Sequence, residues 1–173
     1  MNNTNKNTMY ILVAVVAVVI VVAGVAWYVF YYNPGGNGGD TIYTVGNATR
    51  LKYDVALTDP DGVTGTYMFA GSNLDTADVM LRVDIEGDGA TYSYIMFAGN
   101  QTSWANLDGT WVESDFATDW TAWGNQWSAY VTELDNNWSG SGSYNYTDSE
   151  GNSVVISDIQ VQPDIDDSIF QPI

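Results

Sequence analysis

The chain has 173 residues, no cysteine, no histidine and a formal net charge of −17, from 21 acidic against 4 basic side chains. The missing residue types exclude disulfides, thiol chemistry, thiolate or imidazole metal sites and histidine acid–base catalysis. The acidic excess argues against nucleic acid as a partner, because phosphate binding needs basic patches.

Residues 9–32 (MYILVAVVAVVIVVAGVAWYVFYY) carry no charge, no proline and one glycine, Gly24. About 18 or more such residues are long enough to cross a hydrocarbon core of about 30 Å as a helix. The sequence therefore predicts a cytoplasmic leader over 1–8 and a single transmembrane anchor over 9–32. Lys6 precedes the span, and Arg50, Lys52 and Arg82 are the only basic residues after it. Basic residues close to a span mark the inner side, so the amino terminus is expected inside and the remainder outside the plasma membrane. Trp27, Tyr28, Phe30, Tyr31 and Tyr32 suit the outer headgroup level, and Tyr10 the inner one. A cleaved signal peptide would have a core of about 7–15 apolar residues followed by small ones. This run is longer and ends in bulky rings, which favours a retained anchor. A pilin-like span would show a basic residue next to a small one just before the run, and Asn7-Thr8-Met9 lacks that.

Residues 33–48 open with NPGGNGGD, a loosening composition that reads as a flexible tether. Residues 49–173 remain for one extracytoplasmic domain with a real core. The sequons beginning at Asn47, Asn100, Asn137 and Asn145 are glycosylation candidates if that domain is exported.

From Arg50 the pattern turns to period two, with Leu51, Tyr53, Val55 and Leu57 on one side of a half-buried strand. Asp59-Pro60-Asp61-Gly62 is a turn, followed by a strand over 63–70. After a loop at 71–77, strands are expected at 78–86 and 91–98, then at 103–107 and 110–112 around Asp108-Gly109, a type I′ hairpin signal. The period then changes. Phe116, Trp120, Trp123, Trp127, Tyr130, Leu134 and Trp138 form an apolar stripe on one helix, capped by Ser114 or Asp115 with Asp119 favourable near its positive end. Gly124 inside the helix costs about 1 kcal/mol relative to alanine, so packing must hold it. Strands follow at 144–147 and 153–161, with a bulge expected at Ser157-Asp158. Hairpin-length connections imply a mainly β fold with one long helix. The expected form is a curved antiparallel sheet, a half-barrel, packed on an amphipathic aromatic helix and preceded by the transmembrane helix.

That layout resembles the lipoprotein-carrier family, the LolA- and LppX-like half-barrels. The resemblance is carried by 95–111 (IMFAGNQTSWANLDGTW), a strand, a Gly-Asn turn and a Trp-bearing strand, and by the ending at 163–170 (PDIDDSIF). Small membrane-anchored archaeal surface proteins of unassigned role look similar over the whole chain. The resemblance implies a curved sheet wrapped over helices that holds acyl chains. The chain departs from it in having no lipobox cysteine and, before the first strand, only 41–49 as a stub for the family's amino-terminal helix.

The expected function is a non-enzymatic, membrane-tethered binding domain for a lipid or other apolar ligand, lined by Trp120, Trp123, Trp127, Tyr130 and Leu134. The same stripe also reads as plain core packing or as an exposed sugar- or protein-binding face. The alternative function is a structural cell-envelope or adhesion protein without a small-molecule ligand. Asp84, Glu86 and Asp88 begin like a calcium loop, but Ile95 stands where a bidentate glutamate is needed, and a hairpin turn explains the same residues. Asp164, Asp166 and Asp167 are weak cation candidates. Glu113, Asp115 and Asp119 lie near tryptophans, as glycosidase carboxylates do, yet they also sit where helix caps belong. No catalytic residue, cofactor or metal is therefore expected.

Overall fold

A computed structural model describes residues 42–87 and 90–173. The expected anchor at 9–32 lies outside them, and no helix among the described residues is long and apolar enough to cross a membrane. Eight strands form one antiparallel sheet that does not close into a barrel. They are β1 (Arg50–Thr58), β2 (Thr64–Ser72), β3 (Met80–Gly87), β4 (Ala90–Phe97), β5 (Thr102–Asn106), β6 (Trp111–Ser114), β7 (Tyr144–Thr147) and β8 (Ser153–Val161). Their spatial order is β6-β5-β4-β3-β2-β1-β8-β7. Helix α1 (116–137) carries the chain back from the β6 edge, so β8 can pair with β1 and β7 becomes the opposite edge.

Period-two alternation sends Leu51, Tyr53, Val55, Tyr67, Phe69, Leu81, Val83 and Met96 to one face, where they pack with Trp123, Trp127, Tyr130 and Leu134 of α1. The opposite face carries a smaller cluster of Ala70, Ile95, Ile165 and Phe170. The tail after β8 makes that cluster. It ends in a 3₁₀ turn, Asp167–Phe170, and both arginines hold it. Arg82 donates to the Ile169 carbonyl at 2.7 Å, and Arg50 donates to the Ile165 carbonyl at 3.3 Å. Arg82 also lies over the Trp111 ring, 5.8 Å from its centroid.

The expected bulge is present. The β1–β8 register shifts between Lys52 and Asp54, and Asp158 there is left-handed with φ 50°. The β5–β6 connection differs from the type I′ turn that Asp-Gly suggests. That turn needs positive φ at both central residues, and here only Gly109 has it (φ 91°). The loop runs over 107–110 and is tied by the Gly109 amide donating to Asn106 Oδ1 at 2.8 Å. The folded part also reaches into the expected tether. Val45–Asn47 is a 3₁₀ turn, and Val45 and Ala48 are buried.

The helix departs from a single α phase. Phe116–Asp119 and Asn125–Asn137 are α-helical, and Trp120–Gly124 between them is a π turn. The extra residue of a π turn rotates the preceding segment about the axis. Asp119 therefore faces the sheet and is buried, while Trp120 packs at the margin of the core and is half-buried. Gly124 has a steric reason as well, since a Cβ there would lie 2.7 Å from the Trp120 indole.

A second close approach lies on β2, where a Cβ on Gly71 would sit 2.7 Å from Trp127 Cζ2 and 2.9 Å from Leu74 Cδ2. Gly71→Ala should overpack this contact and cost about 1–3 kcal/mol in urea unfolding. An unchanged midpoint would show that the helix is free to lift from the sheet.

Candidate functional site

The stripe of α1 was the expected ligand-binding surface, and its side chains make direct contact with the sheet. Trp127 stacks on Tyr53 with ring centroids 4.9 Å apart and planes at 24°. Trp123 lies 5.6 Å from Tyr94 and 5.9 Å from Tyr67. Tyr130 meets Phe69 edge-on at 5.8 Å and Tyr53 at 6.3 Å. Leu134 is fully buried. Trp120 is not among these contacts. It pairs with Phe116 one turn earlier at 5.4 Å. Such aromatic pairs add about 0.5–1.5 kcal/mol each beyond their buried area.

Around Trp127 and Tyr130 the polar atoms are phenols and amides, and the Ser103–Asp119 pair lies further toward the β5 side. The Tyr53 hydroxyl donates to the Trp127 carbonyl at 3.3 Å, and Gln126 Nε2 donates to the Tyr130 hydroxyl at 2.9 Å. Burial pushes the Tyr53, Tyr67 and Tyr130 hydroxyls above the ordinary phenol range. Tyr146 rises for the same reason, with the Glu133 and Asp148 carboxylates adding to it. These groups stay neutral at physiological pH and act as hydrogen-bond partners rather than as acids or nucleophiles.

An open groove of about 510 Å³ lies at the carboxyl end of α1. Tyr43, Val45, Leu134, Trp138, Ile159 and Val161 supply its apolar wall, and Thr44, Asp135 and Ser139 supply polar groups. Ile42, the residue before its lining residue Tyr43, is 83 % exposed. Leu134 and Trp138 were legible as part of the stripe. Tyr43 and Val45 were not, because a single 3₁₀ turn has no hydrophobic period.

The candidate carboxylates are dispersed. Asp115 caps α1, its Oδ1 accepting from the Thr118 amide at 2.8 Å, and hydrogen bonding from the Thr118 side chain, then from that amide, lowers its pKa. Asp119 accepts from the buried Ser103 hydroxyl on the helix-facing side of the sheet. Glu113 pairs across from Trp104, one register step from the Ser103–Ser114 pair, and so points to the opposite face. These three do not converge on one cleft.

The calcium-like run is not a loop at its start. Asp84 and Glu86 lie in β3 opposite Ser93 and Thr91, and Asp88 lies outside the described residues. Arg82 grips both oxygens of Asp84 with Nε bonds of 3.1 and 2.9 Å. In the tail, Asp164 and Asp167 lie 3.9 and 3.5 Å from Arg50, and Asp166 caps the 3₁₀ turn through the Ser168 amide. Among the described residues no group of three or more acidic side chains is placed to hold a metal ion. All four sequon asparagines, Asn47, Asn100, Asn137 and Asn145, are exposed.

No family model, curated protein or solved structure matches the chain. The lipoprotein-carrier resemblance therefore rests on layout and short motifs alone.

One acidic pair escaped the sequence reading. Asp54 and Asp158 meet at the bulge, where burial, then the Asp158 charge, raise the Asp54 carboxyl above its ordinary value; Lys52 lowers it in part, and Asp158 hydrogen bonding and the Glu86 charge add smaller rises. A raised carboxyl binds its proton more tightly folded than unfolded. Its contribution is therefore favourable at low pH and is lost as pH rises from the unfolded value through the folded one. Asp158→Asn removes the repulsion and keeps a residue that tolerates left-handed φ. The variant should have a higher urea midpoint than the parent at pH 7 and a smaller advantage at pH 3. An equal advantage at both would refute the pair.

Proposed function

We propose that the chain is a membrane-tethered, extracytoplasmic surface domain with a structural or adhesive role in the cell envelope, and that it is not an enzyme. One observation carries this reading. Trp123, Trp127, Tyr130 and Leu134, the side chains that would line an acyl cavity, are 8, 7, 4 and 1 % exposed and spend their surface on the sheet. Ligand cavities of about 300–1,000 Å³ need lining groups that stand back from one another. Here an indole stacks directly on a phenol. The open sheet with a helix across one face is compatible with a half-barrel of the lipoprotein-carrier type, but with its interior filled by its own aromatic residues.

A second reading keeps a lipid or other apolar ligand and moves it to the groove at Trp138. It is favoured by position. If 9–32 spans the bilayer, residues 33–41 reach at most about 30 Å at roughly 3.3–3.6 Å per residue, which keeps the groove near the headgroups. The acidic surface fits an exported domain held in solution beside the membrane.

Native mass spectrometry and solvent extraction of residues 33–173 separate the two readings. The structural reading predicts the bare polypeptide mass, and Trp127→Ala losing about 3–5 kcal/mol of stability with no ligand involved. A co-purifying apolar molecule that Trp138→Ala releases would replace it with the groove reading.

A further inference from the structure

We propose that Asn145 is an N-glycosylation site whose glycan covers the open β7 edge of the sheet. The inference rests on the exported topology proposed above. Sequons alone do not rank the four candidates; side-chain geometry sets aside Asn47 and Asn137, and position in the sheet separates Asn145 from Asn100. Asn47 already uses its Nδ2 to donate to the Ile42 carbonyl at 3.2 Å, while its Oδ1 accepts from the Thr44 amide at 2.6 Å. Asn137 donates through Nδ2 to Glu133 Oε2 at 2.9 Å in the last turn of α1. Asn100 accepts through Oδ1 from the Thr102 amide and hydroxyl at 3.2 and 2.7 Å, which leaves its nitrogen free. Among the described residues Asn145 has no side-chain hydrogen bond, and it is exposed on β7.

The place of Asn145 gives the modification a physical use. Tyr144 and Tyr146 turn to the helix side and stack on each other at 5.6 Å, so Asn145 stands on the other face. Its direct cross-strand neighbour is Val155, one of the exposed large hydrophobic side chains at 37 %. β7 is also an edge strand, with one side of its backbone unpaired. Edge strands are usually blunted by charge, proline, bulges or short length. The opposite edge, β6, carries Glu113, whereas β7 reads YNYT and relies on shortness alone. A glycan on Asn145 covers Val155 and obstructs a second strand from adding to the edge.

The donor class is a lipid-phosphate-linked oligosaccharide. The bond from sugar C1 to the phosphate oxygen breaks, and its electron pair leaves with the lipid phosphate. A C1–Nδ2 bond forms, and the carboxamide nitrogen gives up a proton.

The test uses the full chain isolated from its own cells, cleaved at acidic residues and read by glycopeptide mass spectrometry. A sugar mass increment on the Asn145 peptide is expected. Asn145→Gln and Thr147→Ala should both lose that increment and both raise the dimer fraction in size-exclusion chromatography. A bare Asn145 in a domain that external protease digests overturns the glycan and leaves the topology standing. A domain protected from external protease overturns the topology and the glycan together. Loss of the increment with no change in the dimer fraction in either variant overturns the shielding role.

Discussion

The fold depends on one contact, the Trp127 indole laid flat on the Tyr53 ring with Gly71 beneath its edge. The tyrosine hydroxyl reaches the carbonyl of the same tryptophan, so one residue pair fixes both the side-chain layer and the helix backbone above it. Burial of large side chains contributes about 1.5–3 kcal/mol each, and this position concentrates several of them around one glycine. Gly71 is therefore a packing residue. It lets an indole come closer to the sheet than any other residue would allow. The crossover of α1 follows from the same contact, because a helix held over β1 and β2 delivers the chain to the free side of β1, where β8 pairs.

Much of this was legible in the sequence, and the reasons are local. Alternation in 51–57 and 79–85 marks strands because a pleat has period two. The spacing of Trp123, Trp127, Tyr130 and Leu134 marks a helix because one buried face recurs every three or four residues. The Ser157-Asp158 irregularity marks a bulge because an inserted residue breaks alternation. The π turn was not legible. It exchanges Asp119 for Trp120 at the buried position, and the choice depends on Ser103 from a different strand. The tail was not legible either. Its apolar residues, Ile165 and Phe170, have no period, and the arginines that hold it lie more than eighty residues away in sequence. The filled interior follows from side-chain volumes across the two layers, which spacing along one element does not encode.

Acidic side chains are spread over both ends of the sheet. The described domain begins at Ile42, eight residues before β1, and the strand ends at Arg50, Ser72 and Phe97 share one end of the sheet. The connections β1–β2, β5–β6 and β7–β8 lie at the other end and carry Asp59, Asp61, Asp108, Asp148 and Glu150. The end nearest the tether is acidic as well, with Asp75 and Asp78 between β2 and β3, Asp135 in the groove, and Asp164 and Asp167 beside Arg50. The two cationic side chains with structural work, Arg50 and Arg82, are spent inside the molecule on the tail. This leaves little basic surface for a polyanionic partner.

The central claim is that the aromatic layer under α1 is closed to ligands. Fluorine NMR of residues 33–173 labelled with 5-fluorotryptophan tests it directly during titration with a long-chain fatty acid. The account predicts that the Trp123 and Trp127 resonances keep their positions throughout. Saturable shifts of both, at a stoichiometry of about one acid per domain, would contradict it, since a single cavity of this class holds one ligand.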